Sequence, residues 1–192
     1  MPEQTTLIID GHLDMAFNAL HHRRDLTQDI YTLREREDPK PPGPSHPDSL
    51  RDRKHHESPS RGTATVSLPQ MREGRVGIML STIMCRVQTP TAQLDDGQRT
   101  QAAAHAIGQS HLYYYKALER EGQIRFIHDV PQLDAAVIEW QNPDENTPVG
   151  LILSMESADP ILGPEQVQWW WEQGLRSVGL THFGANTWGH GT

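Results

Sequence analysis

Four residues of this chain, His12, Asp14, Glu156 and His182, could together hold and use a divalent metal ion. The first two lie in LIIDGHLDM, residues 7–15, where an apolar run delivers a His-X-Asp pair. Alternate residues of a strand share a face, so side chains two apart point the same way. Imidazole with carboxylate suits zinc, manganese or iron, and a strand holds such ligands more rigidly than a loop. Alone, the tripeptide has a second reading, in which His12 bonds a neighbouring carbonyl and Asp14 caps a helix. Two further polar residues sit in comparable places: Glu156 ends the apolar run of PVGLILSME, and His182 ends that of LRSVGLTH. Three strand ends carrying ligand-type side chains are harder to reach by chance than one.

The elements that must position these residues read as strand, helix, strand, helix. After the opening strand, MAFNALHHRR gives a helix or turn, and DLTQDIYTLRERE a helix with Leu26, Ile30 and Leu33 inward. A short amphipathic segment from Leu68 to Glu73 leads through Gly74 into a core strand, Val76 to Met84. A long helix follows from about Asp96 to Arg120, with Ala102, Ala106, Leu112, Tyr115 and Leu118 as its apolar positions and Gly122 as its stop. RFIHDV reads as a further strand and PQLDAAVIEWQ as a helix opened by Pro131. PVGLILSM is too continuously apolar for a sheet with one wet face. In GPEQVQWWWEQG the three tryptophans cover about 200° of arc at about 100° per residue, so they pack on more than one neighbour. The repeat implies an α/β fold with parallel strands and right-handed crossovers, whose sites form where the strands end.

Composition sets bounds. The 192 residues are 35% hydrophobic and 22% charged, enough for one domain with a real core. A net charge of −8 argues against a nucleic-acid partner held through its phosphates, and RDRKHHE is an isolated basic run. The single cysteine, Cys85, excludes an internal disulfide and a cysteine-rich zinc cluster. No stretch approaches the roughly eighteen apolar residues of a membrane span, and the N-terminus lacks a basic signal region, so the cytoplasm is the expected location. Residues 38–61, rich in Pro, Ser and charge, read as a solvated loop. Of the eleven histidines, His21, His22, His46, His55 and His56 lie beside charge runs and are expected at the surface.

The segments IIDGHLDM, SLPQMREGRVG, GLILSMESADPI and GLRSVGLTHFGANTWG, in this order, resemble the signatures of the membrane dipeptidase (renal dipeptidase) family of metallopeptidases. The resemblance covers nearly the whole chain apart from the Pro-rich insertion. It implies a (β/α)8 TIM-like barrel of the metal-dependent hydrolase type, which hydrolyses dipeptides or similar small amides with two divalent metal ions, usually zinc. It makes His12 and Asp14 ligands of the first metal and Glu156 the carboxylate bridging both. The nucleophile it implies is a hydroxide shared by the two metals. His182 matches the substrate-side histidine that stabilises the oxyanion, and Asn186 and Trp188 match the loop after it, at the pocket wall. His128, in RFIHDV, matches no ligand segment.

Two departures qualify this. Where the family often has Glu-Gly-Gly, the chain has Glu156-Ser157-Ala158, which keeps small residues next to the carboxylate. The family also takes two histidines for the second metal, an arginine for the substrate carboxylate and an aspartate for proton handling from segments with no counterpart here. Residues 1–192 therefore read as the N-terminal part of a single barrel domain with four or five of its strands. Its expected partner is the remaining C-terminal half or another copy of the chain. The other functions consistent with the sequence are a different binuclear-metal amidohydrolase acting on small amides or lactones, and a non-catalytic remnant of the family.

Overall fold

Two parallel strands covered on both faces carry the rest of the molecule. The computed structural model describes residues 6–37, 64–88, 97–182 and 184–191. Strands β2 (Val76–Ile83) and β4 (Val149–Met155) lie side by side, in register from Ile78 opposite Gly150 to Ile83 opposite Met155. Nearly every residue of both is buried, which is why their sequences lack the alternation of a half-wet strand. β1 (Ile8–Leu13) pairs with the other edge of β2. β3 (Ile124–Phe126) and β5 (Leu175–Val178) both pair with the remaining edge of β4. β3 takes its first residues, from Val149 to Leu151, and β5 its last, from Leu153 to Met155. Every pairing is parallel, as the strand and helix alternation implies.

Helices make the crossovers. α1 (Met15–His21) and α2 (Ile30–Glu37) follow β1, and α3 (Leu68–Glu73) precedes β2, ending at Gly74. Leu26, Ile30 and Leu33 are all buried, but Leu26 precedes the helix. α4 (Gln101–Arg120) joins β2 to β3. It begins later than the expected Asp96 because Thr100 caps it, its side-chain oxygen accepting from the Ala103 N–H at 3.1 Å. Its buried stripe is Ala104, Gly108, His111, Leu112, Tyr115 and Leu118. Ala102 and Ala106, expected inward, face outward. α5 (Val130–Glu139) is capped by Asp129, whose carboxylate accepts from the Gln132 N–H at 2.9 Å. A short 3-10 turn, Pro164–Gln166, leads into α6 (Val167–Glu172), where Trp170 is buried and Trp171 exposed. The tryptophans are thus divided between core and surface, as their spacing requires.

The main core joins Met79, Ile83, Leu151, Leu153 and Met155 of the sheet to Leu112, Tyr115 and Leu118 of α4 and to Trp170. Ile78 and Ile152, on the alternate positions, pack in a second cluster with Ile127, Leu133 and Ala136. β5 stops at Val178 rather than running to His182. Gly179 follows in close approach, since a Cβ there would lie 2.8 Å from the Glu156 carbonyl oxygen. The chain then turns away, and His182 sits in a loop. No helix among the described residues is long and apolar enough to cross a membrane. The Pro-rich stretch, with His46, His55 and His56, lies outside the described residues.

Candidate metal centre

His12, Asp14 and Glu156 come together at the C-terminal ends of β1 and β4. Each offers one ligand-type atom, and these atoms all lie within 4.8 Å of one another. His12 Nε2 is 3.6 Å from Asp14 Oδ2 and 3.9 Å from Glu156 Oε2. His182 joins from the far side, its Nδ1 2.8 Å from Glu156 Oε1. His12, Asp14, Glu156 and His182 therefore form one cluster, although they lie at opposite ends of the sequence.

The way His12 and Asp14 meet differs from strand alternation. The β1 and β2 pairing is irregular between Asp10 and Leu13, and the His12 N–H is taken by Asp10 Oδ1 at 3.0 Å. Asp14 lies beyond the strand, at the N-cap position of α1. A turn from strand to helix therefore brings the two side chains together. Asp14 makes no side-chain cap bond among the described residues; its Oδ1 accepts instead from the Thr82 hydroxyl of β2. Glu156 is fixed by the sheet itself, because its N–H donates to the Ile83 carbonyl at 3.1 Å and continues the ladder of β2 and β4 by one residue.

Glu156 is the most enclosed of the three ligand candidates. Burial pushes its pKa upward, the Asp14 carboxylate adds to this, and His182 and His12 pull it down. Its Oε2 is buried with no hydrogen-bond partner among the described residues. A buried carboxylate oxygen is costly to leave bare. Here it faces an imidazole nitrogen and a second carboxylate, a nitrogen and oxygen donor set that suits a divalent cation such as zinc. The residues present fit such an ion, and the bare oxygen is the atom that it would satisfy.

The loop after β5 is braced by Asn186. Its side-chain N–H group donates to the Leu180 carbonyl at 2.8 Å and to Ser157 Oγ at 3.3 Å, while its Oδ1 accepts from the N–H groups of Trp188 and Gly189. Asn186 also lines a small recess with His182, Arg86, Ser157 and Asp159. Trp188 is partly buried against the main core. His128 stands apart from the cluster, stacked on Phe126 with ring centroids 5.7 Å apart.

Sequence reading missed three supporting residues. Asp159 is buried and ties two loops together, accepting from the Val87 N–H at 2.9 Å and from Ser157 Oγ at 3.1 Å. Thr82 reaches Asp14 across the first strand pair. Tyr115, buried on α4, places its hydroxyl against the start of α1. The only signal for Thr82 was a pair of hydroxyl residues, Ser81 and Thr82, inside an otherwise apolar strand.

Residues 3–192 match the family model of membrane dipeptidases, peptidase family M19. Among solved structures, dipeptidase AC, a metallopeptidase of family M19, is similar with a TM-score of 0.56 at 17% identity, over 92% of this chain and 44% of that one. A metallopeptidase from Rhodobacter sphaeroides, liganded with a phosphinate mimic of the dipeptide L-Ala-D-Ala, gives 0.54 at 18% identity, over 92% and 46%. The probable dipeptidase PvdM from Pseudomonas aeruginosa gives 0.52 at 15% identity, over 65% and 30%. The chain thus spans less than half the length of each of these structures. At such identities the likeness shows the fold, and it identifies the parallel sheet as part of a TIM-like barrel. No curated protein matches in sequence.

Proposed function

The chain belongs to the membrane dipeptidase family of metallopeptidases, and from that premise we propose that it supplies part of the active site of a metal-dependent dipeptidase. The observation that carries this reading is the convergence of His12, Asp14 and Glu156 around a buried carboxylate oxygen with no partner among the described residues. His12 and Asp14 would hold one divalent cation, and Glu156, with two oxygens, would be shared with a second. Zinc is the cation that this donor set and the family favour. When bound, such ions polarise the scissile carbonyl and make water acidic enough to attack at neutral pH.

Two further roles fall to residues of this chain. Glu156 lies against three polar neighbours in a mostly enclosed position, so its charge acts with little screening by water. His182 pairs with Glu156 through Nδ1, 2.8 Å from Oε1. The ring's other nitrogen, when protonated, is a donor for the negative charge that develops on an amide carbonyl oxygen. Asn186 fixes the loop that carries His182, which limits how far the ring can drift from that position.

The substrate class is a dipeptide or a similar small amide. The first to assay is L-Ala-D-Ala, because a phosphinate mimic of it is the ligand of the Rhodobacter sphaeroides structure. Zinc titration with a competing chelator and an assay of dipeptide hydrolysis test the proposal together. Glu156→Gln keeps the shape and removes the charge. It should weaken zinc binding by at least the roughly 100-fold that loss of an outer-shell partner can cost, and abolish turnover in the protein that carries the complete barrel. Zinc binding and turnover unchanged by that substitution would reject the assignment.

A further inference from the structure

Asp14 occupies a position where an aspartate ordinarily does something else. At an N-cap, a carboxylate accepts from the N–H of the second or third helical residue, because these amides have no partner within the helix. In α1 the second such amide belongs to Ala16, and it is already taken. The hydroxyl of Tyr115, from the middle of α4 and 99 positions away, accepts from the Ala16 N–H at 3.0 Å. Tyr115 thus serves this amide, and Asp14, whose backbone (φ −81°, ψ 52°) is not the extended one of an ordinary N-cap, makes no side-chain cap bond among the described residues. Its Oδ1 accepts from the Thr82 hydroxyl instead, and its Oδ2 faces His12.

The two supporting residues are themselves fixed. Tyr115 is fully buried, and its hydroxyl donates to the Thr82 carbonyl at 2.8 Å. Ser81 Oγ lies 2.9 Å from Tyr115 Oη and donates to the Leu13 carbonyl at 2.9 Å. Thr82 is 2% exposed. One helix and one strand therefore grip the residues on both sides of Asp14: Leu13 through Ser81 and Ala16 through Tyr115. The rotation of its carboxylate is set by Thr82.

We propose that Tyr115 and Thr82 are positioning residues that turn a helix-capping aspartate into a metal ligand, Tyr115 by capping α1 in its place and Thr82 by orienting the freed carboxylate. The inference rests on the reading that His12, Asp14 and Glu156 hold a divalent cation. Without the Tyr115 hydroxyl, the Ala16 N–H is left bare and the Asp14 carboxylate is drawn back to it. Without the Thr82 hydroxyl, the carboxylate loses the donor that selects its orientation.

The test is zinc affinity of the full chain, measured by chelator competition, with metal-free thermal melting recorded beside it. Tyr115→Phe and Thr82→Val should each weaken zinc about 10- to 100-fold, the range expected for outer partners of a ligand. Thr82→Ser, which keeps the hydroxyl, should return the affinity to within about threefold of the parent, a free-energy difference well under 1 kcal/mol. If Tyr115→Phe does not fold, Thr82→Val and Thr82→Ser carry the test alone. A purely structural role would lower the melting temperature and leave zinc affinity unchanged; that result would overturn the proposal. Equal weakening by Thr82→Val and Thr82→Ser would also overturn it, because the hydroxyl would then not be the cause. Glu156→Gln is the control for the underlying reading. If the parent binds zinc no better than that variant, the metal centre itself is wrong; if the parent binds and only the Tyr115 and Thr82 variants match it, the positioning roles alone are wrong.

Discussion

His111, on the same buried stripe of α4 as Tyr115, is a titratable residue that the fold encloses outside the metal centre. It is 3% exposed, and its Nδ1 has no hydrogen-bond partner among the described residues. It lines a cavity of about 200 Å³ whose walls include Phe17, Leu20, Met84 and Cys85. Burial lowers its pKa from 6.5 to about 4, with Asp14 pulling it up and His21 pushing it down. The unfolded chain therefore binds more protons than the folded one between about pH 6.5 and 4, and stability must fall as pH falls through that window. A depression of this size corresponds to about 3 kcal/mol, fully present above the unfolded pKa and lost by the folded one. Urea unfolding at pH 7 and pH 4.5 should show a larger loss for the parent than for His111→Leu. Equal losses in the two proteins would exclude His111 as the source. His12, Asp14, Glu156 and His182 could be picked out as candidates from sequence because each lies at or just past the end of an apolar run. Tyr115 and Thr82 could not, because their bonds to Ala16 and Asp14 cross 99 and 68 positions, and nothing local marks them.

The elements were legible where a local cause sets them and misread where a neighbour does. Pro131 in the first turn of α5 and Gly122 after α4, with φ +71°, act through backbone angles that their own residue types dictate. The facing of α4 was legible at Leu112, Tyr115 and Leu118, all buried, and misread in its first half, where the contact is a glycine. Counting only apolar side chains favours Ala102 and Ala106, whereas the helix turns Ala104 and Gly108 inward. A Cβ at Gly108 would lie 2.7 Å and 3.0 Å from ring carbons of Pro160 and 3.4 Å from Ile83. Gly108 is thus what lets α4 approach the loop that follows Glu156. Two effects oppose each other in Gly108→Ala: alanine improves helix propensity by about 1 kcal/mol, and overpacking costs about 1–3 kcal/mol. A proline ring held by its own backbone yields little, so the clash should win. Thermal or urea unfolding should show a net loss of up to about 2 kcal/mol; a more stable variant would mean that the interface of α4 and this loop is loose.

At the scale of the whole molecule, alternation of strands and helices implied a parallel sheet, and the sheet is parallel throughout. The order of its strands was beyond reach, because β3 and β5 share one edge of β4 and no sequence pattern says which edge a crossover returns to. The consequence is a sheet with two ends. Among the described residues, β1 pairs only with β2, and β5 only with β4. Both end strands carry exposed apolar side chains: Ile8 is 47% and Ile9 56% exposed on β1, with Val178 at 43% on β5 and Leu180 at 57% just past it. Exposed parallel edges with unpaired N–H and carbonyl groups invite pairing with another chain. A TIM-like barrel has no such edges, because its strands close on one another, and the solved structures that resemble this chain are more than twice as long as the part it matches. The 192-residue polypeptide, prepared alone, should therefore run on gel filtration as a dimer or larger species. Ile9→Lys, which places a charge on the edge, should raise the fraction of monomer. A compact monomer that unfolds cooperatively would instead require both edges to be covered from within the same chain, and it would refute the expectation that this sheet needs a partner.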